Sequence, residues 1–282
     1  MDKPFWQYLY TQIKKDPILD WSATLAYYFM LSIFPLLMFL IALIPFFHLD
    51  VAQIEQFIND YVPYAIAEVI TTIILDTISE PRGGLLSIGI IVTLWSASNG
   101  INAFIRAINR SYNIEETRNF LHQRILSMLL TFAILVTMIV TLLLPVFGSF
   151  IINVLDEIFF FPEQTTVLLN VLRYIIGIVL MVLVLIFIYW IAPNIKVKFR
   201  YVFFGAVFAT VSWQVISLGF SFYLSNFANF SATYGSLGGV IILMLWFFLT
   251  GISLILGGQI NAALYESKEK LTTIPISEFQ NK

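Results

Sequence analysis

Uncharged apolar stretches alternate with short charged connections along the whole chain. Five of them are long enough to cross a bilayer: Trp21 to Leu49, Gly83 to Ile105, Ile125 to Leu155, Tyr174 to Ile195, and Tyr201 to Tyr265. A hydrocarbon core of about 30 Å takes roughly 20 residues of helix. The last stretch has room for two crossings, and its middle reads SNFANFSATYGS, a small and polar turn between two greasy arms. The pattern therefore predicts an all-α, polytopic membrane protein with six transmembrane helices.

The connections between the spans differ in sign. Lys3, Lys14 and Lys15 precede the first span. Arg106, Arg110, Arg118 and Arg124 lie between the second and third, Lys196, Lys198 and Arg200 between the fourth and fifth, and Lys268, Lys270 and Lys282 after the sixth. Of the 15 basic residues, only Arg82 and Arg173 fall in the alternate connections, which carry Asp50, Glu55, Asp60, Glu68, Asp76, Glu80, Asp156, Glu157 and Glu163. The positive-inside rule then puts both termini in the cytoplasm.

Two further segments have helical periodicity without the length or apolarity of a span. Residues 4–15 place Phe5, Tyr8, Leu9 and Gln12 on one face, with Lys14 and Lys15 at the end, which suits a short helix at the cytoplasmic interface. Between residues 51 and 80, Ile54, Phe57, Ile58 and Tyr61 recur at helical spacing, followed after Pro63 by Ile66, Val69, Ile70, Ile73 and Ile74. Two amphipathic helices capping the outer face fit this pattern. A tilted seventh span competes, but Glu68 and Asp76 would each cost a few kcal/mol in lipid. The layout is an amphipathic N-terminal segment (1–20), a six-helix domain (21–266) with an outer cap (50–82), and a cytoplasmic tail (267–282).

Composition agrees, with 59% hydrophobic and 11% charged residues. It also narrows the chemistry. Cysteine is absent and only His48 and His122 could serve as imidazole ligands. These fall on opposite sides of the membrane, so they cannot share a metal in one protomer. No nucleophile elbow, P-loop or dinucleotide fingerprint occurs, and the spans hold no carboxylate pair. The N-terminus lacks the form of a cleaved signal peptide. No internal repeat, filter sequence or arginine-rich voltage helix is present. Neither a cofactor nor a nucleic-acid partner is expected, and the protein does not read as an enzyme.

One run stands out: LWSASNGINAFIRAINRSYN, residues 94–113. At about 100° per residue, Trp95, Asn99, Asn102, Arg106, Arg110 and Asn113 project within about 80° of one another. The stripe has two explanations. Its amides join neighbouring helices while its arginines snorkel and set topology, or it lines a path for a phosphate-bearing headgroup entering from the cytoplasm, with Arg106 the leading candidate. Weaker signals of the same kind are Tyr27 and Tyr28 in the first span, Gln214 in the fifth, and Gln259 and Asn261 in the sixth. Pro35 favours a kink in the first span.

Three stretches together resemble the YihY/BrkB family of bacterial inner-membrane proteins: WSATLAYYFMLSIFPLLMFLIAL, LWSASNGINAFIRAINRSYNIEETRNF and YGSLGGVIILMLWFFLTGISLILGGQINAALYE. The resemblance runs from about residue 5 to residue 266. It implies an inner-membrane protein linked to envelope properties and to export of lipids or small solutes. It also implies that an old family label, ribonuclease BN, is a misassignment. Asn99, Gly100, Asn102, Asn109, Arg118, Tyr234, Gly235, Gln259 and Asn261 match as motif positions of undefined role.

The leading expectation is a translocase or exporter of a lipid or lipid-linked envelope intermediate, with membrane lipids and such a substrate as its partners. Asn99, Asn102, Arg106, Arg110, Tyr27, Tyr28, Gln214, Gln259 and Asn261 are its candidate binding residues. A solute or ion transporter and a non-transporting envelope scaffold are the alternatives. The glycine-rich sixth span leaves a homo-oligomer open.

Overall fold

The computed structural model describes residues 3–43, 83–136, 163–227 and 237–270, and every regular element in them is helical. In chain order these are α1 (Lys3–Lys15), α2 (Ile18–Leu43), α3 (Gly83–Ser111), α4 (Phe120–Val136), α5 (Glu163–Ile191), α6 (Phe199–Phe227) and α7 (Leu237–Tyr265), which ends in a π turn, Glu266–Lys270. The expected outer cap, His48, Tyr234, Gly235 and the tail beyond residue 270 lie outside the described residues.

Local chemistry fixes the boundaries at one end of the bundle. Pro17 ends α1 because it has no N–H to continue the ladder, yet it suits the start of α2, where that N–H would have no partner. Its carbonyl accepts the Trp21 N–H at 3.0 Å. Asn113 stops α3 by adopting φ 53°, a left-handed conformation that asparagine tolerates better than most residues. The Ile114 N–H then reaches back to the Asn109 carbonyl at 3.0 Å and the Asn113 N–H to Arg110 at 2.9 Å, the two bonds of a Schellman turn. Asn119 caps α4, its Oδ1 accepting the His122 N–H at 2.9 Å.

Tyr174–Ile191, Phe199–Leu224 and Gly238–Lys268 have the length and composition to cross a membrane, and Ile18–Ile33 and Phe120–Val136 are shorter apolar helices. Leu168, Leu172, Ile175 and Val179 on α5 and Val211, Val215, Leu218 and Phe222 on α6 are exposed. So much outward aliphatic surface is compatible with lipid and not with water. The chain is an all-α membrane protein.

The buried residues concentrate where the C-terminal ends of α3, α5 and α7 meet the N-terminal ends of α2, α4 and α6. This is the end that carries most of the basic connections. α7 is the shared helix, packing against α1, α2, α3 and α6. Its small residues explain how. A methyl at Gly257 would lie 2.5 Å from the Tyr189 hydroxyl and 2.7 Å from the Gly205 carbonyl, and one at Gly251 would lie 3.1 Å from the Ser22 backbone. Apolar side chains gain nothing by leaving lipid for each other, so helix association in a bilayer depends on such close approach and on polar contacts. Both occur here: Tyr189 donates to the Leu254 carbonyl at 2.6 Å, and the Ser212 and Ser253 hydroxyls meet at 3.2 Å.

The N-terminal helix differs from a simple interfacial one. Its predicted face does form, but Phe5, Leu9 and Gln12 are buried against the bundle, while Trp6, Tyr10 and Ile13 point outward.

Gly257→Ala is expected to destabilise the protein by about 1–3 kcal/mol through forced separation of α5, α6 and α7. Gly219→Ala has open space around the added methyl and gains up to about 1 kcal/mol of helix propensity. Thermal midpoints in detergent at one scan rate test the contrast, and equal midpoints for the two variants would contradict it.

Candidate functional site

Three polar joints hold the buried end together. The first joins α1 to the end of α3. Tyr8 and Gln12 both donate to the Ser111 carbonyl at 3.3 Å, and Asn113 Nδ2 donates to the Tyr8 hydroxyl at 2.9 Å. Burial pushes the Tyr8 phenol above its ordinary value and the Glu266 carboxylate adds to this. Hydrogen bonds from Gln12 and Asn113 oppose the shift, and Asp16 adds a smaller upward push.

The second joint surrounds Asn109 and Arg118. Asn109 donates to Glu116 Oε2 at 2.7 Å and accepts the Asn194 N–H at 2.8 Å. The Arg118 guanidinium donates to the carbonyls of Ala192, Ile191 and Pro193 at 3.0, 3.3 and 2.8 Å. Ile191 ends α5 and Ala192 and Pro193 follow it, so these carbonyls lie at the helix's negative dipole end. Glu116 lies 3.6 Å from Arg118 and completes the joint.

The third joint involves α3, α4 and a buried cation. Arg124, only 8% exposed, lies with its guanidinium 3.5 Å over the Trp95 ring. It donates to Asn99 Oδ1 at 2.7 Å and to the Trp95 carbonyl at 3.0 Å. Its Nε is buried without an acceptor. Hydrogen bonds from a charged group contribute about 1.5–3 kcal/mol each and a desolvated cation–π contact about 2 kcal/mol. Together they offset much of the several kcal/mol that burial of an ion costs. They do not neutralise the charge, and no carboxylate pairs with Arg124 among the described residues.

Asp16 is the converse case. It is 6% exposed and accepts a 2.7 Å hydrogen bond from Gln259 Nε2. That charged hydrogen bond contributes about 1.5–3 kcal/mol and the N-terminus of α2 beside it about 0.3–1 kcal/mol, which offset part of the several kcal/mol that burial of an ion costs without supplying a counter-charge.

The sequence-derived candidates are distributed as follows. Asn99 is half-buried and bound to Arg124. Asn102, one turn along, is half-buried, and its Oδ1 is buried without a donor. Arg106 and Arg110 share the Asn99 face of the helix but are exposed, beyond the point where α4 covers it. Tyr27 is exposed and Tyr28 half-buried, their rings 5.4 Å apart. Gln214 is half-buried on α6. Gln259 meets Asp16, and Asn261 Oδ1 accepts the Gly205 N–H at 2.8 Å. Thus Gln259 and Asn261 serve contacts with the α1–α2 break and α6 rather than with Asn102 or Arg106.

The sequence reading counted Arg124 only as a topology charge and did not anticipate its buried contacts with Asn99 and Trp95. A signal was available: Arg124, Ser127 and Thr131 recur at helical spacing, and all three are buried. Asp16 had no comparable local signal. Among the described residues, no group of three or more His, Cys, Asp or Glu lies together as a metal site would require.

Residues 9–277 match the family described as virulence factor BrkB. The chain is 45% identical over 251 residues to a protein of Bacillus subtilis (strain 168) named as the ribonuclease-like protein YfkH, covering 88% of this chain and 90% of that one. It is 28% identical over 265 residues to a UPF0761 membrane protein of Alteromonas mediterranea, covering 91% and 86%. A UPF0761 membrane protein of Photobacterium profundum is 26% identical over 267 residues, covering 93% and 81%. No solved structure matches.

Arg118→Ala should lower stability by about 2 kcal/mol through loss of charge-assisted bonds at the end of α5. Arg118→Lys should recover only part, because an ammonium lacks the planar fork that spans three carbonyls. Thermal midpoints check the order wild type, Lys, Ala. Full recovery by lysine would show that charge alone suffices.

Proposed function

The chain belongs to the BrkB family of membrane proteins, and from that premise we propose that it is a translocase or exporter of an anionic lipid or lipid-linked envelope intermediate. In this account it crosses the bacterial cytoplasmic membrane six times, with both termini and the buried polar end on the cytoplasmic side. The cargo's phosphate-bearing headgroup enters at that end while its acyl chains stay in lipid.

The observation that carries the proposal is Arg124. A guanidinium buried in a membrane domain, held by neutral acceptors and with Nε unused, attracts an anion that can supply both charge and an acceptor. Phosphate does both. Arg106 and Arg110, exposed on the Asn99 face of α3, supply positive potential at the approach. The Trp95 ring and carbonyl and Asn99 Oδ1 hold the Arg124 guanidinium and leave Nε unused. Arg124 therefore replaces Arg106 as the principal headgroup ligand, with Arg106 and Arg110 as the entry charges.

The name of the Bacillus relative does not carry ribonuclease chemistry to this chain. Metal-assisted phosphodiester hydrolysis needs convergent His, Asp or Glu ligands. The sequence has no cysteine and two histidines, and its buried arginine suits binding a phosphate without cleaving it.

Reconstitution tests the function. Liposomes containing the protein should exchange labelled anionic phospholipid or polyprenyl-phosphate lipid between leaflets faster than empty vesicles. Arg124→Lys should reduce that rate about tenfold or more, since lysine retains charge but loses the stacked fork. Exchange no faster than in empty vesicles across both lipid classes would refute the proposal. Full activity of Arg124→Lys would refute the role of its guanidinium.

A further inference from the structure

Asp16 is the one buried carboxylate among the described residues, as Arg124 is the one buried arginine. The two have different partners, so neither neutralises the other. Gln259 donates to Asp16 through Nε2, while its own Oε1 is buried with no hydrogen-bond partner. The Gln259 side chain is wholly buried and reaches across from α7 to the break between α1 and α2. An unneutralised carboxylate and an unsatisfied amide oxygen thus belong to one contact. A neutral donor such as water would satisfy the amide and leave the charge.

The Asp16 side of this contact has an approach. A cleft of about 510 Å³ is lined by Asp16, Pro17, Asp20, Ile252 and Leu256 among others. Asp20 is exposed at the first turn of α2 and adds negative potential along the route. Asp16 itself carries a single buried negative charge, and one monovalent cation balances it. Hard monovalent cations take carboxylate and amide oxygens, the two groups that meet here.

We propose that Asp16 and Gln259 form a binding site for a monovalent metal cation, reached through the Asp20 cleft. The bound ion strengthens the tie between the α1–α2 break and α7. Through α7, its occupancy bears on the packing of the whole buried end, which makes it a natural coupling ion for transport.

Thermal unfolding of the full-length protein in detergent tests this, with sodium, potassium and choline chloride compared at constant ionic strength. Cation binding to the folded state should raise the midpoint saturably, on the order of 3 °C when the ion exceeds its dissociation constant about tenfold. Sodium, potassium or both should do so relative to choline, and the stronger of the two identifies the preferred ion. Asp16→Asn should abolish the dependence and Gln259→Leu should weaken apparent affinity about tenfold, while Glu115→Gln, an exposed loop carboxylate, should retain it.

If Asp16→Asn does not fold, Asp16→Glu serves instead. It keeps the charge but moves the carboxylate, so a changed apparent affinity supports the site and an unchanged one overturns it. Identical wild-type midpoints in all three salts overturn the proposal, as does a sodium or potassium shift that persists undiminished in Asp16→Asn. The readout contains no lipid cargo, so its failure is separate from failure of the translocase proposal.

Discussion

The close approach of α7 to its neighbours is the constraint from which the rest of the architecture follows. A soluble bundle is driven together by removing apolar surface from water, but lipid gives helices no comparable gain. What remains is van der Waals contact at short range and hydrogen bonding in a low dielectric. Gly257 and Gly205 bring backbones together where any side chain would intervene, and Tyr189 uses that proximity to reach the Leu254 carbonyl. With α7 held in place, Gln259 can meet Asp16 and Asn261 can meet Gly205. The polar contacts depend on the glycines for their geometry.

Most of the polar residues at this end serve one another. Asn109, Glu116, Arg118 and Asn194 close a network whose donors and acceptors are used within the protein. Such groups position helices, and mutating them would disturb stability before function. Arg124 and Asp16 are different because hydrogen bonding leaves their charges unbalanced. Both lie at the basic end of the bundle and are shielded from water by protein, where an ionised side chain is costly, so a charge kept there without a counter-charge favours a ligand that brings one. In the proposed account the two charges of opposite sign take two ligands, an anionic headgroup at Arg124 and a cation at Asp16.

The sequence made the membrane class plain because spans and charge asymmetry are properties of consecutive residues. Periodicity likewise foretold the Phe5, Leu9 and Gln12 face of α1. It did not foretell what that face would touch, which in the structure is the bundle. The helix 94–113 stripe shows the same boundary. A wheel projection places Asn99, Arg106 and Arg110 together, but cover depends on the neighbouring helix. α4 covers Asn99 and leaves the two arginines exposed. The partners of Asn99 and Gln259 come from other helices, Asp16 lying 243 positions from Gln259 in the chain. No local pattern encodes such a pairing, whereas the Arg124, Ser127, Thr131 spacing was there to be read.

The central claim is that Arg124 presents an unbalanced positive charge to an anionic headgroup. The most direct measurement is an experimental structure of the protein extracted with its native lipids. The account predicts a lipid phosphate within hydrogen-bonding distance of the Arg124 guanidinium, roughly 2.7–2.9 Å from nitrogen to oxygen, with Trp95 and Asn99 retaining their present contacts. A carboxylate of the protein occupying that position, or aliphatic lipid density alone beside the guanidinium, would contradict it.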